Sequence, residues 1–283
     1  MRVAHITDLH VEVVPRVGQL VGKRLIGAVN LYVLGRHTHF DVRTVEALVE
    51  AVVAVEPALV VCTGDLTATS TPEEFARAAV LLAPITRRFP FVVLPGNHDV
   101  YTAESVGRFR ETFGEWANDG ELPFVRRFGG VDWVAVDSAR PHWLSRGRVG
   151  PTALERLDTL LARDGEPAVV MVHYPLRGRS GAPYGPATRN LEDATALEAV
   201  LARHPRVVAI LHGHEHHGYR TTVGGVPSYD PGASGYAWMP ARRRTAHFNL
   251  YDVDETGIVG VERQAWDGTR FAPETGGAYA TGG

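Results

Sequence analysis

Short unbroken apolar runs recur along this chain, separated by stretches that are apolar at every third or fourth position. The runs Leu59–Cys62, Phe91–Leu94, Ala168–Val172 and Val207–Leu211 are wholly apolar, and Val3–Ile6 and Val131–Val136 are apolar but for His5 and Asp132. Such runs predict strands of a parallel sheet covered on both sides. Between them, Val42, Val45, Leu48, Val49, Val52 and Val53 form one helical stripe, which Glu56-Pro57 stops. Thr71-Pro72-Glu73-Glu74 is a capping box that opens a helix to about Leu82, and Thr152-Ala153-Leu154-Glu155 predicts a second, for a helix to about Arg163. Helices are also expected over Glu104–Phe113 and from a cap at Asn190 to Arg203. Beyond Leu211 the pattern turns to hairpins. Tyr219–Val223 and Val226–Tyr229 flank Gly224-Gly225, and His247–Val253 and Ile258–Val261 flank a turn ending at Gly257. The whole reads as one α/β domain over residues 1–270. Residues 11–40 form an irregular, cap-like insertion, and the glycine-rich 271–283 is expected to be a flexible tail.

Composition narrows the class of protein. At 283 residues, 45% hydrophobic and 22% charged, the chain has material for a sizeable core. A formal net charge of −3 argues against a general nucleic-acid binder. The single cysteine, Cys62, excludes an intramolecular disulfide framework and a thiolate zinc site. The apolar runs are too short to span a membrane, and Met1 leads into a strand with no signal-peptide region, so a cytoplasmic location is expected.

Candidate chemistry collects at the strand ends. Five of the apolar runs are followed by Asp8-x-His10, Gly64-Asp65, Gly96-Asn97-His98-Asp99, His173 and Gly213-His214-Glu215-His216. A turn needs Gly and Asn for their backbone freedom, but it has no need of the His-Asp pair. Gly-Asn-His-Asp should arise by chance on the order of once in a thousand chains of this composition. In parallel sheets, the loops at the carboxyl ends of strands are where ligands bind. Imidazoles, carboxylates and one amide oxygen suit first-row metals such as Fe, Mn, Zn, Ni or Co. Two such ions sharing a carboxylate can activate a water and clamp the oxygens of an in-line phosphoryl displacement.

In order and in kind, these residues resemble the calcineurin-like metallophosphoesterases, over about three quarters of the chain. The resemblance implies a sandwich of two β-sheets flanked by helices, with two divalent or trivalent ions on the strand-end loops. By the same resemblance, Asp8, His10 and His216 would hold the first ion, Asp65 would bridge, and Asn97, His173 and His214 would hold the second. His98 would contact the substrate phosphate and assist the leaving group, and Asp99 would orient its ring. The implied reaction is attack of a bridging hydroxide on phosphorus. A phosphodiester, with cyclic nucleotides included, is the first candidate substrate, and a monoester or a pyrophosphate is the alternative. Lys23-Arg24-Leu25-Ile26-Gly27 and Asn97-His98-Asp99-Val100-Tyr101 further resemble a bacterial subgroup associated with cyclic-nucleotide phosphodiesterases.

Other readings remain open at this level. A catalytically silent binding scaffold on the same fold would be expected to lose ligand residues, and none is lost. The basic-flanked apolar stretch from Lys23 to His37 offers either a peripheral membrane contact or a cap or dimer contact. His212 and His217 flank the last motif and are candidates to line the cleft, whereas His5, His142, His204 and His247 read as surface or core residues. Arg177, Arg179 and Arg189 are either solvated loop residues or grips for a substrate phosphate.

Overall fold

The structure is a computed structural model that describes residues 1–274. One sheet runs from β1 (Arg2–Ile6), at its centre, through β2 (Leu59–Cys62) to β3 (Phe91–Val93), all parallel. Its other half is antiparallel and forms from the end of the chain: β10 (His247–Asp254), β11 (Gly257–Trp266) and β12 (Phe271–Pro273). The second sheet has the order β4 (Phe124–Phe128), β5 (Val131–Val136), β6 (Ala168–Val172), β7 (Val207–Leu211), β9 (Val226–Asp230) and β8 (Tyr219–Val223).

Alternation along each strand builds the layers. Ala4 and Ile6 of β1, with Val60 and Cys62 of β2, turn outward onto Val45, Leu48 and Val52 of α2 (Val42–Val55) and Phe75 and Leu82 of α3 (Pro72–Thr86). Val3, Leu59, Val61 and Val92 turn inward and meet Trp133, Val169, Met171 and Leu211 of the second sheet. The far face of that sheet, Val134, Val170, Val172 and Ile210, is covered by α5 (Pro151–Leu161) and α6 (Ala194–Ala202). The result is helix, sheet, sheet, helix: the sandwich that the resemblance implies. Apolar runs without a polar face are explained, since each strand packs on both sides.

Several local expectations need correction. Thr152 does not cap α5. The helix starts at Pro151 after Gly150, and the N–H groups of Val149 and Gly150 donate to the carboxylate of Asp193, at 3.0 and 2.7 Å. Asn190 does not cap α6 either. That helix begins at Ala194 behind Asp193, whose side chain is occupied at the entrance to α5. α3 runs through Pro84 to Thr86, beyond the expected end, because Leu82 and Ile85 on its last turns are fully buried. The edge strand β4 escapes the sequence pattern because two consecutive exposed arginines, Arg126 and Arg127, interrupt it. Phe271–Pro273 still pair with β11, so the chain is in the sheet where the flexible tail was expected to begin; residues 275–283 lie outside the described residues.

Within 11–40, α1 (Lys23–Ala28) continues into one π-helical turn, Val29–Val33. Its charge pattern is inverted. Arg24 is buried, donating to the carbonyls of Thr69 and Ser70 and to the hydroxyl of Thr102, while Leu25, Ile26, Val29, Val33 and Leu34 are exposed. No helix of the described residues is long and apolar enough to cross a membrane.

Candidate metal centre

The register of both sheets brings the candidate loops together. Ile6 pairs with Cys62 and Cys62 with Val93, so three loops leave the first sheet side by side. In the second sheet Val136 pairs with Val172 and Met171 with Leu211, which sets His173 beside the Gly213–His216 loop. Among the described residues ten non-glycine residues adopt positive φ, and five of them are Asp8, His10, Asp65, His214 and His216. Backbone strain of this kind collects where side chains must be aimed. Close approach also explains two glycines. A Cβ at Gly96 would fall on the Asp65 carboxylate, and one at Gly213 would stand 2.5 Å from Asp8 Oδ2.

Two groups of ligand-type atoms result: Asp8, His10, Asp65 and His216, and Asp65, His173 and His214, each with its atoms within 4.8 Å of one another. In the first, His10 Nε2 lies 3.0 Å from His216 Nε2 and 3.6 Å from Asp65 Oδ2, and His216 Nε2 lies 3.3 Å from Asp8 Oδ1. In the second, His173 Nε2 is 3.4 Å from Asp65 Oδ2, 3.3 Å from His214 Nδ1 and 3.2 Å from Asn97 Oδ1. Asp65 belongs to both.

The atoms around each group aim its donors. His173 Nδ1–H donates to the Thr63 carbonyl at 2.8 Å, and His214 Nε2–H to the Arg189 carbonyl at 3.0 Å. With both rings neutral, each turns its lone pair toward the other, so the pair calls for a cation between them, either a proton on His173 Nε2 or a metal ion. Asp8 Oδ2 accepts from Thr7 Oγ1 and from the His214 N–H, both at 2.9 Å, whereas its buried Oδ1 has no hydrogen-bond partner. Donor atoms ~2.0–2.2 Å from one ion stand roughly 3.0–3.6 Å apart, and the spacings of 3.0 to 3.6 Å given above match that range. These residues fit a pair of metal ions.

Charge follows the same layout. Burial opposes ionisation of Asp65, yet the positive charge of His173 holds it well below the usual carboxylate range. Burial also opposes protonation of His173, but Asp65 raises it to about 9. His214 is held well below the ordinary imidazole value by burial and by His173. Burial lowers His98 to about 3 against the pull of Asp65.

His98 and Asp99 differ from each other in placement. The His98 ring lies 4.6 Å from that of His10, and its Nδ1–H donates to the Ala68 carbonyl at 2.5 Å, leaving Nε2 free. The structure corrects the expected role of Asp99. Its carboxylate is not on the His98 ring; it accepts the N–H groups of Leu66, Thr67 and Gly96 at 3.1, 2.9 and 3.0 Å. It ties the loop after β3 to the loop after β2.

Of the other candidates, Arg177 is paired with Glu198 and Arg189 donates to the His214 carbonyl. His212 is fully buried with Nδ1 3.4 Å from Asp230 Oδ2, so it does not line the cleft, whereas His217 borders a pocket with His216. His204 bonds Asp158 and His142 bonds the backbone of Leu144, as expected of residues outside the site. His5 is bonded to Thr63 and Tyr251 between the sheets. Sequence reading missed Phe40, which packs on the His10 ring at 4.2 Å, and Tyr236, whose hydroxyl is 3.3 Å from His216 Nδ1. Neither carried a motif. It also missed that Lys23 lies 3.8 Å from the centroid of the Tyr101 ring, so the two runs of the subgroup resemblance meet in space.

A family model for calcineurin-like phosphoesterases matches residues 1–218, and the chain belongs to that family. A 3′,5′-cyclic adenosine monophosphate phosphodiesterase of Escherichia coli K12 is 29% identical over 164 residues, 56% of this chain and 54% of that protein. The chain thus spans about half the length of that relative. A probable cyclic nucleotide phosphodiesterase of Ruthia magnifica is 21% identical over 234 residues, 82% of this chain and 92% of that one. A dimetal phosphatase from Danio rerio superposes with a TM-score of 0.62 at 14% identity, over 97% of this chain and 98% of the other. A purple acid phosphatase from yellow lupin gives 0.64 at 14% identity, over 96% of this chain and 52% of the other. At these identities the two structures speak for the fold.

Proposed function

We propose that this protein is a binuclear metal-dependent hydrolase of phosphoesters, acting first on phosphodiesters and with cyclic nucleotides among the candidate substrates. The observation that carries this reading is the membership of Asp65 in both ligand groups. Asp8, His10 and His216 would hold one ion, and Asn97, His173 and His214 the other. Bound there, two first-row cations would supply charge against the phosphoryl oxygens and lower the pKa of a water. The preference for diesters draws support from the names of the two curated relatives.

The protein's own residues supply the rest. His98, neutral at rest with Nε2 toward the cleft, lies beside His10 where a phosphoryl oxygen would sit. An arriving anion favours its protonated form, in which Nε2–H can pass a proton to the departing oxygen. Asp99 keeps the two loops in register beneath it. Elemental analysis of the purified protein, with hydrolysis of bis-p-nitrophenyl phosphate, p-nitrophenyl phosphate and a cyclic-nucleotide panel in Mn, Fe and Zn, tests the reading. Two ions per chain and metal-dependent diester cleavage are expected. One ion or none, or no cleavage with any metal, would overturn it.

A further inference from the structure

On its outer side His216 borders a second pocket, of ≈ 380 Å³, lined by Arg179, Arg243, Arg244, Arg263 and Glu274. Its size lies within the roughly 300–1,000 Å³ common for small-molecule sites. The charge is lopsided: the four arginines face one carboxylate, and Glu274 is engaged with Arg263 at 3.1 Å and His247 at 3.6 Å. Among the described residues Arg179, Arg243 and Arg244 have no ion pair. In a chain of net charge −3, such a cluster beside the centre is unexpected for a merely solvated surface. Like charges gathered without counter-ions cost stability unless something anionic joins them.

The backbone assembles the cluster from two separate places. Arg179 comes from the loop after His173, and Arg243 and Arg244 from a turn after Pro240 that is closed by a bridge between Met239 and Arg244. Arg243 is held there at φ 51°, in the left-handed region. Arg244 lines the same pocket wall as His217 and Tyr236. Tyr236 is itself bonded to His216, so the cluster and the centre share a wall.

We propose that this pocket is a subsite for a second anionic group on the substrate, a phosphate carried beyond the scissile phosphoester. It rests on the phosphoesterase reading and deepens it: the substrate class becomes phosphoesters that bear a further phosphate. Arginine suits the task, because its planar fork of donors pairs with phosphate oxygens two at a time. His216 is the point of contact, belonging to the first ligand group and also lining the pocket. A ligand that reached the centre with one phosphate would find the arginines with the other.

The test compares binding of thymidine 3′,5′-bisphosphate and thymidine 3′-phosphate by calorimetry, using the full-length protein with its metals. Wild type should favour the bisphosphate by roughly 10–100-fold, the range for charge-assisted hydrogen bonds to a phosphate. The variant carrying Arg243→Gln and Arg244→Gln should lose most of that preference. Arg179→Gln, in a different loop, should lower it by about threefold to tenfold. Equal affinities in wild type, or an undiminished preference in the double variant, would overturn the proposal. If the double variant misfolds and weakens both ligands alike, the single variant decides, and its keeping the full preference also overturns the subsite. Release of p-nitrophenol from bis-p-nitrophenyl phosphate by wild type checks the phosphoesterase reading separately, so the two can fail independently.

Discussion

The backbone N–H of His98 donates to Asp65 Oδ1 at 2.7 Å, which leaves Oδ2 of the same carboxylate 3.6 Å from His10 and 3.4 Å from His173. One oxygen is fixed by the neighbouring loop, and the other faces both histidine groups. This division of labour makes Asp65 the pivot of the site.

Asp65→Asn should therefore cost both ions rather than one. The amide can still accept the His98 N–H, but it removes the negative charge that two adjacent cations require. Elemental analysis of the variant should show well under one metal per chain with the circular dichroism of the fold intact. Two metals per chain would mean the bridge lies elsewhere.

His98→Ala should keep fold and metal while slowing turnover by roughly 10²–10⁴-fold, the scale of general acid catalysis. The loss should be small for p-nitrophenyl esters, whose leaving group is a stable anion, and large for alkyl esters, whose leaving alkoxide is strongly basic. Equal losses across the two would restrict His98 to phosphate binding. Metal loss would make it a ligand.

Asp99→Ala should show its effect first in stability. Three buried N–H groups, of Leu66, Thr67 and Gly96, would lose their acceptor together. A cost of roughly 3–5 kcal/mol is expected from urea unfolding, since each buried orphan donor costs on the order of 1–3 kcal/mol. A variant of normal stability with impaired turnover would instead favour a direct role on His98.

His5 should impose an acid limit on the fold. Burial, then the charge of His212, lowers its pKa from 6.5 to about 3. Between those values the unfolded chain binds a proton that the folded chain refuses. The stability this neutral ring contributes is complete above pH 6.5 and falls as pH drops toward 3, by roughly 1.4 kcal/mol per pH unit. In His5→Gln the dependence of unfolding free energy on pH should flatten over that window, judged by slope rather than by absolute stability. An unchanged slope would assign acid sensitivity to other groups.

The strands and the identities of the candidate ligands were legible because both are local. An apolar run such as Val60–Cys62 reports burial on two faces, and a motif such as Gly-Asn-His-Asp is short enough to be distinctive by itself. The helix caps at Gly150 and Asp193 were not legible. Each depends on a hydrogen bond across 43 or 44 residues, which no local pattern encodes. The same limit applies to β4, an edge strand whose exposed arginines hide its period, and to Asp99, whose partners lie in a different loop. The sequence by itself determined which side chains could bind metal and on which strand ends they sit. Only the tertiary structure decided which atom of Asp65 is shared, which nitrogen each imidazole presents, and that Arg179 joins Arg243 and Arg244 beside His216. Those are relations between segments far apart in the chain, set by sheet register and by the few hydrogen bonds that lock one loop to the next.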